Sequence, residues 1–320
     1  MVQMCRNPTV KICDEHQLAL SGILLLDIDQ TLSILEHMDY LNAYKEMDSN
    51  YAKFTAGGHG AWIQDVYENL HLIRTAATAS FNTCVNSSTL PFEVKSILHS
   101  LKRTYSRQYS IKGVNENTII KDHLVPILDS FFPNDDYLTT YAADKEIAES
   151  SIRFTAIDPS LQKHAKKADY SVVHNPTKFA LLTVEAKSCQ NQSKSSSDVV
   201  KIGKYLKDLL DAAEAKGYQG LQLLGLVSRG DQINVYVVEH KYDCIYTMFK
   251  LNTLHIPIKY TDIHRAISAF EILSRLKQIV DYNVDIFEQA KDARSLPNQR
   301  VKRLANKNSA EFQAARRRLF

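Results

Sequence analysis

The order of helical and extended segments between residues 116 and 250 constrains the fold of this chain most strongly. Strand-like runs are predicted at 137–142, 170–173 and 179–186, with further strands at 221–227, at 233–240 and near 244–250. Amphipathic helices are predicted at 116–132 and at 198–216, where Asp198 is a plausible N-cap. This succession predicts an α/β (α+β) fold with a mixed sheet.

Helical segments are expected on both sides of this core. Residues 1–110 have a mostly helical pattern, and Pro126 is expected to kink the helix at 116–132 because it removes one backbone hydrogen bond. The predicted divisions are an N-terminal helical region (1–110), the core (111–260), a long flanking helix (261–290) and a basic tail (291–320).

The composition excludes several classes of protein. The 320 residues are 44% hydrophobic and 23% charged, which is typical of a folded globular chain. No apolar run approaches the roughly 18–20 residues of a membrane span, so we expect no membrane partner. Five cysteines without a CxxC pair argue against a disulfide framework or a cysteine-based zinc site. We therefore expect an intracellular protein, nuclear or cytoplasmic.

Positive charge is concentrated at the C-terminal end. Residues 291–320 carry a net charge of +7, whereas the rest of the chain sums to −4. The tail residues expected to bind nucleic-acid phosphates are Arg300, Lys302, Arg303, Arg316, Arg317 and Arg318. A clustered basic arm of this kind binds phosphates by displacing their counterions.

One group of charged residues indicates a metal-binding catalytic site. Asp169 begins one predicted strand, Glu185 ends the next, and Lys187 follows two residues later. Side chains at i and i+2 of a strand share a face, so Glu185 and Lys187 should point together, with Asp169 beside them. Two carboxylates and the Ala186 carbonyl suit Mg²⁺ or Mn²⁺, and Lys187 could orient an attacking water.

This pattern resembles the PD-(D/E)XK nuclease superfamily. The match consists of Asp169 and the segment Glu185-Ala186-Lys187, with Ala168 where the superfamily often has proline. The resemblance implies a restriction-endonuclease-like α-β-β-β-α-β core, a further acid at Glu116, and nucleic-acid contacts from Lys201 and Lys204. It also implies metal-dependent cleavage of DNA rather than RNA, and homodimers are common in that superfamily. Over roughly 55–290 the chain also resembles proteins of early-diverging, mucoralean-type fungi with the same layout.

Two alternatives remain open. Many members of that superfamily have lost catalysis, so the fold could serve as a binding module for nucleic acid or protein. The segment 23–32 also resembles the first motif of haloacid-dehalogenase-type phosphatases, with Asp27 as nucleophile and Asp29 as general acid/base. A buried amphipathic helix that includes Leu24 and Leu25 would explain the same residues.

Overall fold

The protein is described from a computed structural model of its chain. The residues that the structure describes are 14–27, 40–54, 82, 85–86, 90, 92–105, 119–142, 168–187, 198–242, 245–256 and 265–295. No helix within these ranges is long and apolar enough to cross a membrane.

The described helices flank a set of seven strands. The helices are α1 (Asp14–Ala19), α2 (Tyr40–Ala52), α3 (Phe92–Tyr105), a π-helical segment (Ile119–Leu124) that leads into α4 (Val125–Phe131), α5 (Asp198–Ala215) and α6 (Arg265–Ser295). The strands are β1 (Ile23–Leu26), β2 (Leu138–Ala142), β3 (Tyr170–His174), β4 (Ala180–Lys187), β5 (Gln222–Arg229), β6 (Gln232–Tyr242) and β7 (Ile245–His255).

These strands form one mixed sheet in the order β1-β7-β6-β5-β4-β3-β2. Strands β2, β3 and β4 are antiparallel neighbours, and so are β5, β6 and β7. The two groups meet where β4 pairs with β5 in parallel, a connection that runs through α5. Among the described residues α4, β2, β3, β4, α5 and β5 follow the α-β-β-β-α-β order, and the predicted α/β fold class with a mixed sheet is confirmed.

The sequence interpretation was wrong for Ile23–Leu26. This segment is strand β1 rather than part of a buried helix, and it pairs in parallel with β7 from Ile23 opposite Tyr246 to Leu26 opposite Phe249. A run of four aliphatic residues has no periodicity that separates a buried strand from a buried helix. Its partner lies more than two hundred residues away in the chain, so only the folded sheet selects the strand.

Pro126 accompanies a change in helix type. The π-helical segment Ile119–Leu124 runs directly into α4, and Pro126, which has no backbone N–H, lies in the first turn of α4. The single helix expected at 116–132 is therefore two helical segments within the described range.

Helix α5 lies unusually close to one face of the sheet. A Cβ atom on Gly225 of β5 would come within 2.4 Å of the Ile202 side chain of α5, and one on Gly203 of α5 would come within 2.9 Å of the Met248 side chain of β7. Only glycine fits at these two contacts, so the helix can pack directly on the strands. We call this side of the sheet the α5 face.

The opposite side, which we call the α6 face, holds a buried polar contact between helix and strand. The Asn283 side chain accepts a hydrogen bond from the Gln222 N–H at 2.8 Å and donates one to the Gln222 carbonyl at 2.7 Å. Asn283 is fully buried, and Gln222 precedes Leu224, the first residue of β5 that pairs with β4. One amide thus replaces a strand partner that Gln222 lacks on that side.

We predict that Asn283→Leu lowers the free energy of unfolding by about 3 kcal/mol, because it leaves a buried N–H and a buried carbonyl without partners. Chemical denaturation measures the change. The matched control is Gln278→Leu, which removes an amide from a partly exposed position of the same helix and should change stability far less. Equal effects of the two substitutions would contradict the role of Asn283.

A second buried polar group, His123, makes stability depend on pH. His123 is 3% exposed, and neither ring nitrogen has a hydrogen-bond partner among the described residues. Burial lowers the pKa of His123, and the neighbouring Asp122 only partly opposes this shift. The unfolded chain therefore binds a proton at a higher pH than the folded chain does.

We predict that stability falls as the pH drops below about 6.5, the ordinary histidine value, until the lowered pKa of folded His123 is reached. The loss contributed by one such group is at most about 1.4 kcal/mol per pH unit. His123→Leu should reduce this acid sensitivity, whereas His99→Leu, at a partly exposed position of α3, should not. Denaturation curves between pH 5 and pH 8 provide the measurement, and an unchanged slope in His123→Leu would refute the assignment.

Candidate active site

Strand β4 carries Glu185 into the interior of the α5 face. In the parallel register with β5, Thr183 lies opposite Gly225 and Glu185 lies opposite Val227. Gly225 faces Ile202 and Leu206 of α5, so Glu185, two residues beyond Thr183, points to the same helix. Glu185 is 5% exposed, which makes its carboxylate costly to bury unless a cation or donors accompany it.

Lys201 provides that cation from the first turns of α5. Its ammonium group donates to Oε2 of Glu185 in a short ion pair. The Lys201 side chain is 33% exposed, so the pair connects the buried carboxylate to the surface of the molecule. The close approach of α5 to β5 positions this lysine directly above the end of β4.

Asp169 lies immediately before β3 and extends the ladder between β3 and β4. Its N–H donates to the Val184 carbonyl at 3.0 Å, and its Oδ2 accepts the Ala186 N–H at 2.7 Å. In an extended strand the N–H and carbonyl of one residue point the same way, so the Ala186 carbonyl is directed to the side where Asp169 lies. Asp169 therefore lies beside the Glu185–Ala186 peptide, as the motif predicts.

The strand contains one further polar group near this point. Thr183, two residues before Glu185 on the same face, is 1% exposed, and its hydroxyl has no hydrogen-bond partner among the described residues. Its cross-strand neighbour Ser171 is also buried. A buried hydroxyl without a partner is uncommon.

The structure describes two of the remaining predicted residues in whole or in part. Lys187 ends β4, where its backbone pairs with Arg229, but its side chain lies outside the described residues. Lys204 lies half-buried on α5, three residues after the Lys201 that contacts Glu185. The other predicted positions lie outside the described residues: Glu116, Asp29, Arg300, Lys302, Arg303, Arg316, Arg317 and Arg318.

The donor set suits a hard divalent cation. Asp169 and Glu185 supply carboxylates, and the Ala186 main chain supplies a carbonyl directed toward Asp169. Among the described residues no group of three or more His, Cys, Asp or Glu side chains could hold a metal. Mg²⁺ is commonly bound through one or two carboxylates with several waters retained, so two acids are sufficient for it.

Sequence reasoning missed Arg229. In the strand register Arg229 lies two positions beyond Val227, the partner of Glu185, and so shares the α5 face with it. Its side chain is exposed. The sequence showed only that Arg229 lies at the end of a predicted strand. The pairing of β5 with β4 then placed it near Glu185.

A second buried acid, Asp27, lies on the same face at the far side of the sheet. It follows β1, is 2% exposed, and forms an ion pair with Lys250 of β7 at 3.6 Å. The Tyr236 hydroxyl donates to it at 3.4 Å. Burial raises the pKa of Tyr236 above its usual range and the Asp27 carboxylate raises it further, whereas Arg229 opposes the shift.

Comparison of the chain with models of known protein families, with curated proteins and with solved structures found no match. The function proposed for this protein therefore rests on the geometry of its site.

The ion pair between Lys201 and Glu185 should contribute measurably to stability. We predict that Lys201→Met lowers the free energy of unfolding by about 1–3 kcal/mol, because it leaves a buried carboxylate without its cation. The effect should be smaller than for a fully buried pair because a third of Lys201 is exposed.

Denaturation of Lys277→Met provides the control, since Lys277 forms an exposed pair with Asp281 on α6 and should contribute about 0.5 kcal/mol or less. Adding Glu185→Gln to Lys201→Met should recover much of the loss. The interpretation is wrong if the two lysine substitutions cost the same, or if the double variant recovers nothing.

Proposed function

We propose that this protein hydrolyses phosphodiester bonds of nucleic acid with the help of Mg²⁺ or Mn²⁺. The observation that carries the proposal is the convergence of Asp169, Glu185 and Lys201 at the Ala186 end of β4. Two acids at adjoining strand ends, with a lysine from the helix that connects two parallel strands, are part of the arrangement that the PD-(D/E)XK resemblance implies. The preference for DNA over RNA and a homodimeric assembly also derive from that resemblance.

Each residue has a chemical role in this proposal. Asp169, Glu185 and the Ala186 carbonyl would hold the metal, which when bound lowers the pKa of a water and neutralises phosphate charge. The Ala186 N–H fixes the orientation of the Asp169 carboxylate. Lys201 balances the charge of the Glu185 carboxylate, and its exposed part can meet a phosphate. Lys187, the last residue of β4, would orient the attacking water.

The two alternatives make different predictions. A catalytically inactive protein of the same fold would bind nucleic acid without cleaving it. Phosphatase chemistry at Asp27 would require a free carboxylate, whereas Asp27 is buried and paired with Lys250 and Tyr236. The sheet that holds β1 is also mixed and does not alternate strand and helix along the chain, as that phosphatase family requires. We therefore favour the nuclease.

The decisive experiment incubates plasmid and single-stranded DNA with the full-length protein and Mg²⁺ or Mn²⁺. We predict that Asp169→Asn and Glu185→Gln each reduce the cleavage rate at least about a hundredfold, since loss of metal-assisted stabilisation costs several kcal/mol. Chelation of the metal with EDTA should abolish cleavage by the wild type.

Asp281→Asn is the control, because it removes an exposed carboxylate on the α6 face and should leave the rate unchanged. Circular dichroism of every variant shows whether the fold is retained. Cleavage that survives in both site variants would refute the proposal. DNA binding without cleavage by the wild type would favour the inactive binding module, and activity on a phosphate monoester that Asp27→Ala abolishes would favour the phosphatase.

A further inference from the structure

The strand register places a row of polar residues along the sheet edge beyond Glu185. Arg229 of β5 pairs with Gln232 of β6, and Gln232 pairs with His255 of β7. Directly opposed residues on neighbouring strands share a face, so all three side chains belong to the α5 face. We call these three residues the outer row. All three are exposed.

The outer row continues from the candidate active site. Arg229 also pairs with Lys187 across the parallel strands, one step outward from the pair of Glu185 and Val227. Neighbouring strands lie about 4.8 Å apart, so the row extends about 10 Å from β5 to β7. This length is comparable to the rise of about three phosphates along one strand of duplex DNA.

The chemistry of the outer row is that of an anion-binding surface. It contains a guanidinium, an amide and an imidazole, and it carries no carboxylate. None of the described residues forms an ion pair with Arg229. The neighbouring Asp231, at the β5–β6 turn, is instead paired with Arg265 of α6 at 3.4 Å. The Arg229 guanidinium, which forms no ion pair with the described residues, can bind a phosphate through two parallel hydrogen bonds.

A purely structural role, as polar residues beside a turn, explains fewer features of the outer row than phosphate binding does. The last residue of a strand is often polar because it borders a turn, and Gly230 with its positive φ provides that turn here. A turn alone does not require a cation next to the active acids, nor donors on two further strands at the same level. The next residues inward on the same face are Glu185, Val227, Asn234 and Thr253, and the Thr253 hydroxyl donates to Asn234 at 3.0 Å.

We propose that the outer row binds the sugar–phosphate backbone of the nucleic-acid substrate, with Arg229 making the principal phosphate contact. This proposal rests on the proposed nuclease function and adds the path of the substrate, which leaves the active site across β5, β6 and β7. The same surface contacts phosphates without reading bases, so binding should depend on salt and not on sequence.

The test measures binding of a short fluorescein-labelled DNA duplex to the full-length protein by anisotropy, in EDTA, over a range of salt concentrations. For Arg229→Gln we expect affinity to fall about eightfold at 0.1 M salt and the log–log salt slope to flatten by about one unit. Gln232→Ala and His255→Ala should weaken binding less, since neither removes a guanidinium. Arg229→Lys should restore the slope but only part of the affinity, because an ammonium cannot form the two parallel bonds.

Lys277→Gln is the matched control, as it removes one positive charge from the α6 face and should leave both quantities unchanged. Equal losses in Lys277→Gln and Arg229→Gln would show a bulk-charge effect and overturn the proposal. An unchanged affinity and salt slope in Arg229→Gln would also overturn it, and so would the absence of detectable binding by the wild type. Cleavage is measured separately. A wild type that binds through Arg229 but does not cleave refutes the nuclease and leaves the outer row intact.

Discussion

The buried carboxylate of Glu185 is the constraint on which the candidate site depends. A carboxylate with 5% exposure is strongly unfavourable unless it is paired, and its cation comes from Lys201 on the helix above it. That pairing requires α5 to lie close to the sheet, which Gly225 permits by leaving room for Ile202 and Leu206. The parallel pairing of β4 and β5 follows from the same α5 connection, so the fold and the site share one structural cause.

Buried polar groups occur on both faces of the sheet. On the α6 face two of them link helices to strands: Asn283 binds the Gln222 main chain, and the Tyr51 hydroxyl donates to Glu239 at 3.0 Å. Burial and the adjacent Glu239 raise the pKa of Tyr51 well above its usual range, which keeps this hydrogen bond intact at ordinary pH. Each face also holds a buried polar atom without a partner among the described residues: the Gln222 Oε1 on the α6 face and the Thr183 hydroxyl on the α5 face. Completed networks stabilise a fold, and groups without a partner are uncommon on either face.

The segment around Asp27 shows that a local motif can predict a strand correctly although its acid forms an ion pair with another strand. The four aliphatic residues before it do form a strand, and an acid follows, as in the phosphatase motif. However, β1 lies at the edge of a mixed sheet, and its acid forms an ion pair with Lys250 of the neighbouring strand. A buried pair of this kind links the segment after β1 to β7, since removal of either residue would leave a buried charge without its counter-charge in this pair.

The sequence by itself determined the local elements of the core and the spacing of its acids. Strands β3 and β4, the turn between them and α5 follow from short-range patterns, and Asp169 and Glu185 come together because a hairpin joins them. Tertiary structure alone decided that β1 pairs with β7, since the two segments are far apart in the chain. It also decided that Lys201 meets Glu185, because helical periodicity predicts which face of α5 is buried but not which strand residues that face contacts. Arg229 joined the site for a similar reason: strand register depends on pairing between distant segments, which no local pattern specifies.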